Sequence, residues 1–153
     1  MLDWVVVLTP VLALAALLLL GFAGCKFEPR PAEPPPEPNE VDIVVRVPTT
    51  LTVTEIVFRC VPPGGPLPDD TQPNPTPGST DGGDNLFSHS CGTPVNGSWT
   101  AGCRLTVSPG GANDQATAQF TFTLDGSDTH PVATFQASRN TSGVLTVAFV
   151  GLS

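Results

Sequence analysis

The chain has 153 residues, room for one domain plus appendages, and carries six Lys/Arg against fourteen Asp/Glu for a formal charge of −8. That balance excludes a nucleic-acid binder, which needs a basic face, and electrostatic docking on anionic lipid. With no Tyr, one Met and two His, few side chains are suited to acid–base chemistry near neutral pH.

Residues 4–24 read WVVVLTPVLALAALLLLGFAG, uncharged and almost wholly apolar. A helix of this length spans a hydrocarbon core of about 30 Å. The run ends in Phe22-Ala23-Gly24-Cys25. Small residues before a Cys, at the end of an apolar run, resemble the lipobox of bacterial lipoproteins. The resemblance covers the first 25 residues, with Phe22 where Leu is usual. It implies that residues 1–24 are a signal peptide, cut before Cys25, and that the Cys25 sulfur carries a diacylglyceryl group. It also implies a cell-envelope location, at the outer membrane or cell surface, because Lys26 rather than Asp follows the Cys. The partner so implied is the membrane, held through lipid. Two or more acyl chains anchor stably, at roughly 0.8 kcal/mol per buried CH₂. The competing reading is an uncleaved transmembrane helix with an incidental Cys. The charge pattern favours that alternative, since no Lys or Arg precedes the run whereas Lys26 and Arg30 follow it.

Residues 25–40 form a Pro/Glu-rich tether. Six prolines fall among the thirteen residues 28–40. They fix φ and remove amide donors, which predicts polyproline II at about 3.1 Å per residue, or on the order of 40 Å in all.

From residue 41 onward the signal is alternation. Apolar residues recur at every second position in 41–47, 51–60, 103–107, 117–124, 132–137 and 144–150. Gly, Asn, Asp and Pro punctuate these segments at 48–50, 108–114, 125–128 and 140–143. Six or seven short strands predict an all-β fold, a small two-sheet β-sandwich of immunoglobulin-like architecture over 41–153, with a small barrel as the runner-up. The last four strands are expected to run as a meander. Residues 62–85 are rich in Pro, Gly and Asp without periodicity and are expected to form a disordered or loosely packed loop.

Four Cys are present. With Cys25 lipidated, Cys60, Cys91 and Cys103 remain, allowing one disulfide and one leftover thiol in an exported domain. Cys60 and Cys103 both face the predicted core on candidate neighbouring strands, so Cys60–Cys103 is the expected bridge and Cys91–Cys103 the alternative. No CxxC pair and no His spacing suggests a metal centre. Asp81, Asp84 and Asn85 around Gly82-Gly83 only loosely resemble a Ca²⁺ loop, lacking its ligand alternation. His89 and His130 fall in predicted loops, and Trp99 is one candidate for an exposed binding aromatic, with packing against a sheet edge the favoured reading. No GxSxG, HExxH or P-loop pattern is present. The expectation is a non-enzymatic module without a cofactor, binding an envelope protein or glycan or serving a structural role. The alternative is an accessory subunit of an envelope complex, anchored by a transmembrane helix.

Overall fold

The computed structural model describes residues 39–153. The lipobox, Cys25 and most of the tether lie outside the described residues. The described part is all-β, with nine strands and a single 3₁₀ turn, Ala112–Asp114.

Alternation sets the faces. In β1 (Asp42–Pro48), Ile43, Val45 and Val47 are fully buried while the residues between them are half-exposed. Period two places every second side chain on one face, so β1 supplies a continuous apolar row. Strand β2 (Val53–Val61) presents Ile56, Phe58 and Cys60 inward. Strand β6 (Gly97–Val107) presents Trp99, Ala101, Cys103, Leu105 and Val107, and β8 (Val132–Arg139) presents Ala133, Phe135 and Ala137. These side chains form one core. Fully burying a residue such as Phe58 or Phe135 contributes about 1.5–3 kcal/mol.

The remaining strands are β3 (Asp70–Pro73), β4 (Ser79–Asp81), β5 (Asp84–Ser90), β7 (Gln115–Leu124) and β9 (Leu145–Leu152). They complete a sandwich of a five-stranded sheet, β4-β5-β1-β8-β9, and a four-stranded sheet, β3-β2-β6-β7. The two-sheet architecture is therefore as expected. The sheet is mixed, because β1 pairs antiparallel with β5 but parallel with β8, with Val45 opposite both Phe87 and Phe135.

Two expectations are corrected. The last four strands do not form a meander. The β6–β7 and β8–β9 hairpins belong to different sheets, and the chain crosses between layers over residues 125–131. The crossover lets each hairpin bury one face against the other layer. Nor is the 62–85 stretch without secondary structure. It adds β3 to the edge of one sheet and β4 to the edge of the other. These strands are short, and their side chains are exposed or half-buried. Polar residues on both faces leave no alternation to read. The β4–β5 hairpin turns on Gly82 (φ 58°) and Gly83 (φ 91°), a two-residue loop with positive φ at both centres. That is the type I′ geometry, for which glycine is favoured.

Candidate functional site

The expected Cys60–Cys103 bridge, and its Cys91–Cys103 alternative, are both replaced by Cys60–Cys91. The register explains why. On the β2–β6 ladder Cys103 stands opposite Phe58, and Cys60 stands opposite Ala101. Cys60 and Cys103 are thus diagonal neighbours on one face, a spacing of about 7–8 Å between Cα atoms. A disulfide needs less than about 7 Å. Cys91 follows β5 in the other sheet, where its amide donates to the Val41 carbonyl at 2.7 Å. It meets Cys60 across the layer gap at a Cα separation of 5.7 Å. The bridge joins the two sheets. Cys103 is left as a buried thiol, and burial pushes its pKa up to about 12. It is protonated and shielded at neutral pH, the opposite of a reactive cysteine.

The loosely calcium-like residues form a different arrangement. Arg46 of β1 reaches across the hairpin, its Nη2 2.8 Å from Asp81 Oδ2 and its Nε 3.5 Å from Asp84 Oδ2. A guanidinium thus supplies the positive charge between these carboxylates. Asn85 faces the side chain of Thr80 instead, at 3.4 Å.

His89 lies on β5 rather than in a loop. Its ring stacks on Phe58 at 5.2 Å between centroids, and its Nδ1 lies 3.1 Å from Asp70 Oδ2. Asp70 also accepts from Gln72 Nε2 at 2.7 Å. His130, in the turn before β8 as expected, sits 2.8 Å through Nε2 from Asp42 Oδ2. The two imidazole–carboxylate pairs occupy opposite sides of the five-stranded sheet. His89 faces inward with Phe87, whereas Asp42 points out between Val41 and Ile43. They do not form one constellation. Trp99 is 2% exposed, with its indole N–H donating to the Val95 carbonyl at 2.8 Å, so it is a core residue.

The concave feature that sequence reading missed lies on the outer face of the four-stranded sheet. Pairing places Arg59 beside Gly102 and Gly102 beside Gln119 in one transverse row. The next row reads Val57, Arg104, Thr117. Gly102 contributes no side chain, and the gap is a depression of about 210 Å³ lined by the side chains of Val57, Arg59, Asp69, Arg104, Thr117 and Gln119. Val57, only 6% exposed although it points outward, forms its apolar floor. The long arginine stems cover it, as amphipathic side chains do. Arg59 meets Asp69 at 3.1 Å and Arg104 meets Glu55 at 3.3 Å, both exposed pairs. In the structure Gly102 is an isolated glycine inside a strand, which marks a close approach, here of the Ala118 carbonyl oxygen. Residues 97–102 did not read as strand, because their inward residues below Cys103 are only Trp99 and Ala101.

Residues 39–153 therefore form a disulfide-braced, all-β two-sheet sandwich with a shallow polar notch on one outer face. By sequence and by structure, the chain matches no family model, no curated protein and no solved structure.

Proposed function

We propose that this protein is an exported lipoprotein, anchored through Cys25, that displays its β-sandwich as a non-catalytic binding module at the cell envelope. The observation that carries the reading is the Cys60–Cys91 bridge. Disulfides persist in oxidising compartments and are rare in the cytosol, so an inter-sheet disulfide supports export. Export agrees with the apolar run ending in Ala23-Gly24-Cys25. With Cys60 and Cys91 bonded and Cys103 buried, Cys25 is the one cysteine left for acylation. The binding role draws support from the outer-face notch, and the non-catalytic role from two histidines that serve separate carboxylate pairs on opposite sides of one sheet.

Mass spectrometry of the full chain expressed in a bacterium tests the anchor. The expected mature species begins at Cys25 and carries diacylglycerol, and Cys25→Ala abolishes both cleavage and lipid. An intact Met1, or an unmodified Cys25, overturns the reading in favour of a transmembrane-anchored accessory subunit.

A further inference from the structure

We propose that the chain self-associates through β7, which pairs antiparallel with β7 of a second copy about a two-fold axis at Phe120. Four observations lead there.

The first is where charge is missing. Residues 39–153 hold ten Asp/Glu against four Arg. Of the nine described strands, seven contain an Asp, Glu or Arg, and only β7 and β9 contain none. These two are also free edges, one of each sheet. They lie on the same side of the sandwich, where Phe120 stacks on Phe149. Two copies of an acidic domain repel each other across charged surfaces. A charged residue near a two-fold axis would moreover face its own copy. The β7–β9 side has neither obstacle, and it offers no charge for a polyanion or polycation to recognise.

The second is edge protection. A free edge presents unpaired amides and carbonyls, which proteins blunt with short strands, proline, charge or bulges. β3 has four residues, including Asp70 and Pro73, and β4 has three, including Asp81. β9 is bulged opposite Thr134 and Phe135. β7 has ten residues with no proline, no charge and an unbroken register on β6. Of the four edges it is the one left as a regular template, and it is paired on one side only.

The third is the state of the core beside it. The inward residues of β1 and β8 are fully buried. Ala116, Ala118 and Phe120 of β7, with Val147 and Phe149 of β9, are only partly buried. A strand added beside β7 covers apolar surface that the sandwich leaves wet, which stabilises by about 25 cal/mol per Å².

The fourth decides the occupant. Along β7 the inward residues run from small to large: Ala116, Ala118, Phe120, Phe122, Leu124. A two-fold interface must be complementary to itself. Antiparallel pairing centred on Phe120 sets Phe122 opposite Ala118 and Leu124 opposite Ala116, so each large side chain meets a small one. On the outer face it sets Thr121 opposite Gln119 and Thr123 opposite Thr117. β7 reversed is thus a fitting neighbour for β7, and the two four-stranded sheets become one of eight strands.

This interface belongs to residues 39–153 and stands whether or not Cys25 is acylated. Sedimentation equilibrium of the full chain in density-matched detergent is the test. A reversible monomer–dimer equilibrium is expected. Gln119→Glu with Thr121→Glu places two like-charge pairs across the axis and should raise the dimer Kd about tenfold. Gln119→Lys with Thr121→Glu places two opposite-charge pairs there, and its dimer should be at least as tight as the native one. Both positions are exposed, so the far-UV spectra of the variants should match the native protein. A monomer at every concentration, a dimer indifferent to the like-charge variant, or equal weakening by both variants each overturns the proposal. So does a dimer broken only by Ala148→Glu, which would put the contact on β9.

Discussion

Cys60 of β2 and Cys91 beyond β5 lie 5.7 Å apart across the gap between the two sheets, and their disulfide is the covalent link between the layers. They are 31 residues apart in sequence. Closing a loop of that size stabilises the fold by about 3.5–4 kcal/mol in the chain-entropy model. The Cys60→Ala/Cys91→Ala double variant is expected to lose that amount in urea unfolding. Non-reducing peptide mapping should recover residues 60 and 91 in one cross-linked fragment. A fragment containing Cys103 instead would show the pairing to be wrong.

Cys103 predicts an alkaline limit to stability. Its folded pKa is near 12 against an ordinary thiol value of 9.0, because burial disfavours the thiolate. The unfolded chain therefore releases a proton between these values that the folded chain keeps. The contribution is fully present below about pH 9 and declines as pH rises toward 12. Unfolding midpoints measured across that range should fall for the native protein and fall less for Cys103→Ala. In the folded state at pH 8, iodoacetamide should leave Cys103 unmodified until denaturant is added.

Asp114 predicts an acid limit. Its carboxyl is held below the usual carboxylate range first by the Arg139 guanidinium and then by the Gly111 amide, which donates to Oδ2 at 2.9 Å. Arg139 also donates to the Gly143 carbonyl, so one side chain ties the 3₁₀ turn to the β8–β9 turn. A lowered folded pKa contributes stability that is present above about pH 3.8 and is lost as pH falls through the folded value. Asp114→Asn should be less stable than the native protein at pH 7, and the difference should shrink below pH 4. A difference that stays constant with pH would rule out this linkage.

Phe120 of β7 and Phe149 of β9 stack with centroids 3.6 Å apart, closing the sandwich at the edge where the two sheets meet. Phe149 also meets Phe135 edge-on at 5.7 Å. Both stacked rings are half-buried. Phe149→Ala should cost about 2–4 kcal/mol, toward the lower end of core Phe truncations. A double-mutant cycle with Phe120→Ala should return a coupling of about 0.5–1.5 kcal/mol. Additive losses would mean the rings do not interact.

Much of this fold is legible from residue type alone. The segments 41–47, 117–124 and 132–137 alternate large apolar with small or polar residues, and each becomes a strand with the expected inward face. β5 was not legible. Its inward positions hold Asn85, Phe87 and His89, and the polar residues there are read as core only once Asp70 and Phe58 are in place around His89. The β3 and β4 edges were hidden for a related reason, since an edge strand with two wet faces has no period to display.

The sequence by itself determined that residues 41–153 are all-β, because period-two alternation fixes which side chains must leave water, and the division into two sheets rather than a barrel came from the structure. The tertiary structure decided which elements face one another. Alternation assigns Cys60 and Cys103 to the interior and is silent on Cys91, and the partner of Cys60 is settled by the register that places Phe58, not Cys60, opposite Cys103. The same holds for the guanidinium of Arg46 between Asp81 and Asp84, and for Arg59 and Arg104 around Gly102. Each joins residues more than thirty positions apart, and pairing at that range depends on strand order and crossover, which no local pattern encodes.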